Sequence, residues 1–209
     1  MHEFMNAAFP VVVAAVAGFS HAFEADHLVA VSNIVTRRTT SLAAIKDGVL
    51  WGLGHTSTIL LVALVFLLGR LVLHLGPFRY LEASVGLLLV GLGGGRLWRI
   101  LHAQSPGHAH PEPAFSLAYG VGMVHGLAGS GALLLSVLTQ IKSGWDSIGY
   151  LLIFGAGSVV GMMVAAGVFS LPFSVALLQS SRLRTGLTVL SSVVCVGLGL
   201  KVLHQNLLP

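Results

Sequence analysis

The chain has 209 residues, of which 55% are hydrophobic and only 9% charged, with a formal net charge of +4. A water-soluble domain of this length needs a charged exterior, and too few charged residues are present to build one. The positive balance sits in short links between apolar runs, so it reads as membrane topology rather than as nucleic-acid binding.

A membrane-spanning helix needs roughly 20 apolar residues. Six windows meet that length: Phe9–Val35, Gly48–Leu73, Leu81–Leu101, Ala114–Ile141, Ser147–Leu171 and Leu183–Val202. The links Thr36–Asp47, Leu75–Tyr80, His102–Pro113, Lys142–Asp146 and Pro172–Arg182 separate them. The runs are continuously apolar rather than alternating, which favours helices over a transmembrane barrel. The expected fold is therefore all-α: one polytopic membrane domain over residues 1–209 with six transmembrane helices. The first window lacks a basic leader and is interrupted by ionisable residues, so it is expected to be retained rather than cleaved as a signal peptide.

The links after the first, third and fifth windows hold Arg37, Arg38, Lys46, Arg96, Arg99, Arg182 and Arg184; the other side holds Arg70, Arg79, Lys142 and Lys201. Lys and Arg in short loops favour the cytoplasm. Both termini are thus expected outside a cell inner (plasma) membrane, with the His102–Pro113 link inside.

The two halves resemble each other. Gly18-Phe-Ser-His21 aligns with Gly122-Met-Val-His125, Gly52-Leu-Gly54-His55 with Gly155-Ala-Gly157-Ser158, and Gly91-Leu-Gly93 with Gly197-Leu-Gly199. Three windows per repeat is an odd number, so repeats at about 7–102 and 114–206 must insert with opposite orientation. Two inverted three-helix repeats are an arrangement of secondary transporters, with substrate held near the midplane.

The chemistry lies in His21-Ala-Phe-Glu24-Ala-Asp26-His27, inside the first window. A charge at the bilayer centre costs at least about 2.5–3.5 kcal/mol, and two unpaired carboxylates about twice that. No Lys or Arg in the stretch can pair with them, so they are protonated, solvated in a cavity or neutralised by a cation. On a straight helix His21, Glu24 and His27 share an arc of roughly 120°, with Asp26 off its edge. Six residues rise about 9 Å, so one ion hardly reaches both histidines. Other spans must complete the site, or the ion must move along the face. His55 and His125 lie at comparable depth, each among glycines that let helices approach closely. Imidazole and carboxylate without thiolate select borderline divalent ions, nickel and cobalt foremost, with zinc, iron and manganese admitted. Cys195 stands alone, and Met162-Met163 reads as packing. His2, and His102, His108 and His110 in the inner link, are candidates for capturing or receiving metal.

At these residues the sequence resembles the nickel/cobalt transporters. His21-Ala-Phe-Glu24-Ala-Asp26-His27-Leu-Val-Ala-Val-Ser-Asn33 is similar to their His-Ala-x-Asp-Ala-Asp-His signature, and Leu53-Gly54-His55-Thr56 to their Leu-Gly-His-Ser. His125-Gly-Leu-Ala-Gly-Ser resembles the UreH-type urease-accessory membrane proteins of the same wider group. The resemblance implies secondary transport of nickel or cobalt, with His21, Asp26, His27 and His55 handling metal. Asn33 and Thr56 lie in the same matching stretches and join His2 as lesser candidates. Three departures stand out: Glu24 replaces an Asp, six windows replace eight spans, and no Phe-Asp-Thr motif is present.

The expected function is uptake of a divalent transition metal by alternating access, with a metal exporter or an exporter of a sulfite-like anion as the alternative. No enzyme is expected, because the histidines do not follow the His-Glu-x-x-His spacing of zinc proteases. No resident cofactor is expected, and the metal is cargo. Expected partners are membrane lipid, the ion itself and nickel-enzyme maturation proteins, and no nucleic acid.

Overall fold

The computed structural model describes residues 2–36, 38, 40–69, 78–102, 117–128, 144–174 and 181–207. Among the described residues the chain is entirely helical, with seven helices: α1 (His2–His21), α2 (Ala25–Val35), α3 (Ser41–Gly69), α4 (Phe78–Leu101), α5 (Leu117–Ala128), α6 (Gly144–Ser174) and α7 (Ser181–Leu207). Four of them, α3, α4, α6 and α7, are long and apolar enough to cross a membrane, and α1, α2 and α5 contribute shorter apolar segments. Their outward faces carry large aliphatic side chains such as Leu61, Leu87 and Leu190, each more than half exposed. Such a surface suits hydrocarbon and not water. The chain is an all-helical membrane protein.

The first apolar window departs from the expected single helix. It folds as two helices, α1 and α2, joined by a turn over residues 22–24. Tight i to i−3 bonds, Phe23 N–H to the Ser20 carbonyl and Glu24 N–H to that of His21, close α1. The Ser20 hydroxyl also donates to the Val16 and Ala17 carbonyls, a local bond that competes with regular helix. Glu24 then takes an extended conformation (φ −64°, ψ 153°) and α2 starts behind it. Neither glycine nor proline marks the break.

The second, third, fifth and sixth windows each hold one long helix, with shifted ends. α3 begins at Ser41, well before the apolar run at Gly48, because the Thr40 hydroxyl accepts the Ala43 N–H as an N-cap. The Arg38 guanidinium grips the Asp47 carboxylate through both Nε and Nη2, the latter at 2.8 Å, and pins the α2–α3 connection to α3. That contact raises the pKa of Arg38 above its ordinary value. α6 runs through Pro172, which was expected to lie in a link. In the fourth window only α5 is described, and the stretch from Gly129 to Ile141 lies outside the described residues.

Glycines set how closely the helices pack. A Cβ on Gly18 would strike the carbonyl of Phe154, and one on Gly122 that of Trp51. The contacts recur in corresponding pairs. Gly157 meets Ala15 as Gly54 meets Tyr119, Gly155 meets Thr56 as Gly52 meets Val159, and Gly199 meets Gly86 as Gly93 meets Ser192. α1 therefore lies on α6 as α5 lies on α3; α3 and α6 pack on each other, as do α4 and α7. Met162 is buried in the main core with Trp51, Leu89 and Cys195, in the packing role expected for it.

Candidate metal centre

The break between α1 and α2 changes the geometry of the ionisable cluster. With the helix interrupted, His21 ends one segment and His27 stands in the first turn of the next, and their ring centroids lie 4.6 Å apart. The roughly 9 Å separation expected from a straight helix does not arise. His55, from the middle of α3, completes a compact group: its ring is 5.1 Å from His21 and 5.5 Å from His27. One ligand atom from each of these three residues lies within 4.8 Å of the others. A tetrahedral site with metal–nitrogen bonds of about 2.0–2.1 Å needs nitrogens roughly 3.3 Å apart.

His125 enters from α5 and lies against the other side of His27, ring centroids 4.9 Å apart. Its Nδ1 donates to the Val121 carbonyl at 3.0 Å. Within the described residues no hydrogen-bond partner meets His27 Nε2, His125 Nε2 or either ring nitrogen of His55, and all four atoms are buried. A buried polar atom without a partner costs about 1–3 kcal/mol. Four imidazole nitrogens in that state, on three neighbouring rings, are a cost that a bound cation would offset.

The carboxylates sit further out. Glu24 Oε1 contacts His21 Nδ1 at 2.8 Å and Asp26 Oδ1 contacts His27 Nδ1 at 3.1 Å. Their side chains are 57% and 29% exposed, against 1% for that of His27. Glu24, Asp26 and His27 form a second group whose ligand atoms also lie within 4.8 Å of one another. Both acids stand at the amino end of α2, where the helix dipole favours negative charge, while the carbonyl end of α1 at His21 favours a cation.

The lesser candidates have other partners. Asn33 is buried on α2 and donates to Ser192 Oγ of α7 at 3.3 Å. Thr56 donates to the Gly155 carbonyl at 3.2 Å and ties α3 to α6. His102 is exposed and stacks on Trp98, with centroids 3.7 Å apart. The side chain of His2, and His108 and His110, lie outside the described residues.

Two aromatic residues of the centre escaped sequence reasoning. Trp51 is buried, stacked on His27 at 5.4 Å and edge-on to His125 at 5.6 Å. Phe154, at the corresponding position of α6, packs 5.5 Å from His21. The available signal was adjacency: Trp51 directly precedes the Gly52-Leu-Gly54-His55 motif, as Phe154 precedes Gly155-Ala-Gly157.

Fold and site together define an all-helical membrane protein with a buried histidine cluster at a helix break. The chain is 32% identical over 171 residues to the urease accessory protein UreH of Bacillus sp. (strain TB-90), covering 76% of this chain and 75% of that one. It belongs to the UreH family, the branch of the nickel/cobalt transporter group that its motifs resemble. It is also 28% identical over 192 residues to the Chloroplast protein FOR GROWTH AND FERTILITY 2 of Arabidopsis thaliana, covering 85% of this chain and 51% of that protein. It thus spans about half the length of the plant relative. No family model matches the chain, and no solved structure does.

Proposed function

We propose that the protein is a secondary transporter that carries a divalent transition-metal ion, nickel or cobalt, into the cell across the plasma membrane. The observation that carries this reading is the convergence of buried imidazole nitrogens without partners among the described residues, on His27, His55 and His125 beside His21. Imidazole ligands suit nickel, cobalt and zinc, and no thiolate is at hand to favour copper(I). Membership of the UreH family supports a role in supplying metal for nickel-enzyme maturation. The acids Glu24 and Asp26 disfavour an anion as cargo.

The paired glycine contacts support two three-helix repeats of opposite orientation within one domain, with α1 and α2 together forming the first span. In this reading each repeat seats its first segment on the second helix of the other, so a rocking motion opens the centre to either side in turn. His27 lies at the junction, touching rings from α1, α3 and α5. The arginine-rich links face the cytoplasm and both termini face out.

Uptake of Ni2+ and Co2+ into proteoliposomes holding the purified full-length chain tests the proposal. Wild-type protein accumulates metal, and His27→Ala and Asp26→Ala lose most of the uptake. Full uptake by both variants rules out the centre as the transport site.

A further inference from the structure

We infer that Glu24 and Asp26 are positioning residues and not ligands: each fixes a histidine with Nε2 turned to the metal, so that the ion is held by nitrogen alone. This rests on the transport centre proposed above and assigns roles within it. A carboxylate only accepts hydrogen bonds, so the imidazole nitrogen facing it carries the proton. His21 Nδ1 faces Glu24 Oε1 at 2.8 Å and His27 Nδ1 faces Asp26 Oδ1 at 3.1 Å. In the neutral ring the lone pair then falls on Nε2, and His27 Nε2 is buried without a partner among the described residues.

His125 reaches the same state by another route. Its Nδ1 donates to a backbone carbonyl, that of Val121, and its Nε2 is likewise buried without a partner among the described residues. Three histidines with three different acceptors thus converge on one tautomer. His55 has both ring nitrogens buried without partners among the described residues, so it can offer either. Outer groups that accept the second ring N–H hold metal-binding histidines in place and raise their basicity.

The competing arrangement is direct ligation by the group Glu24, Asp26 and His27. An ion bound there through His27 Nδ1 displaces the Asp26 contact and leaves the buried Nε2 unused. Exposure separates the two arrangements as well, since the acids face outward and the imidazole nitrogens inward. The consequence is selectivity. A nitrogen-only set rejects Mg2+, Ca2+ and Mn2+, which prefer oxygen, while the nearby carboxylates offset the ion's charge without binding it.

The test uses the purified full-length protein with Cd2+ and Co2+ as probes, read by 113Cd NMR and by the visible absorption of Co2+. The variants are Glu24→Gln, Asp26→Asn, Asp26→Ala and His27→Ala. Once saturated, Glu24→Gln and Asp26→Asn keep the wild-type resonance and Co2+ spectrum, because the atoms bound to the ion are unchanged. Asp26→Ala, with no acceptor for Nδ1, weakens binding by roughly 10–100-fold, as loss of outer partners does, and Asp26→Asn weakens it less. His27→Ala moves the resonance or abolishes it. A resonance shifted by Glu24→Gln or Asp26→Asn, or equal losses in Asp26→Asn and Asp26→Ala, overturns the positioning role while the centre itself stands. Wild-type protein that binds neither ion overturns both.

Discussion

α3 and α6 occupy corresponding places and differ in what they present to the centre. Both carry an aromatic residue followed by Gly-x-Gly: Trp51-Gly52-Leu-Gly54 in α3 and Phe154-Gly155-Ala-Gly157 in α6. The glycines do the same work in each, admitting the backbone or side chain of a neighbouring helix. The next residue differs. Ser158 of α6 donates to the Gly18 carbonyl at 3.1 Å, so its hydroxyl is spent on packing. His55 of α3 is equally buried, yet neither ring nitrogen has a partner among the described residues. Packing at this position is therefore achieved by a small, self-satisfied hydroxyl. An imidazole there is a stability cost, which the proposed metal centre would offset.

Five substitutions break or sharpen that comparison. The largest effect is expected of His55→Leu, a change of similar volume, which should lower Ni2+ affinity by ~100-fold or more, at or beyond the upper end of losses for supporting groups. The same change should leave the thermal stability of the metal-free protein undiminished, because it removes two buried unpartnered nitrogens. A clear loss of apo stability instead makes His55 a structural residue like Ser158. Next come Gly18→Ala and Gly122→Ala, which drive a methyl into the Phe154 and Trp51 carbonyls. Each should destabilise by about 1–3 kcal/mol or more in thermal unfolding, the cost of overpacking. Unequal losses break the correspondence between the halves.

Ser158→Ala removes the bond to Gly18 and should cost about 1 kcal/mol with metal uptake intact. Thr56→Val, which gives α3 the residue that α6 carries as Val159, has the smallest expected effect. It keeps the side-chain volume and loses one hydrogen bond to Gly155, about 0.5 kcal/mol at the low end for such bonds, and uptake assays should show no change. A transport defect in Thr56→Val makes Thr56 part of the ion path after all.

Much of this was legible in the sequence, for identifiable reasons. Ionisable residues inside an apolar run are costly enough to mark themselves, and His21, Glu24, Asp26 and His27 do so; His55 and His125 follow from depth and glycine context. Of the matching motifs, Gly18 and Gly122, Gly52 and Gly155, Gly54 and Gly157, and Gly93 and Gly199 make corresponding close contacts, whereas Gly91 and Gly197 have nothing within 4 Å. The break at residues 22–24 was not legible, because it rests on Ser20 back-bonding and an extended Glu24 rather than on Gly or Pro. Everything quantitative about the centre hangs on it, since a straight helix keeps His21 and His27 apart. The start of α3 was missed because its first turns carry Lys46 and Asp47, and helix formation there follows the Thr40 cap and not apolarity. Trp51 carries only the weak signal of its place before Gly52-Leu-Gly54-His55, and otherwise reads as one more large residue in a hydrophobic run.

The central claim is that the break in the first apolar window assembles a buried imidazole site for a divalent transition metal. Equilibrium dialysis of the purified chain against Ni2+, with bound metal counted by mass spectrometry, tests it most directly. The account predicts saturable binding that is lost in His21→Ala, His27→Ala and His55→Ala, residues from three different helices. Undiminished binding in all three variants would contradict it.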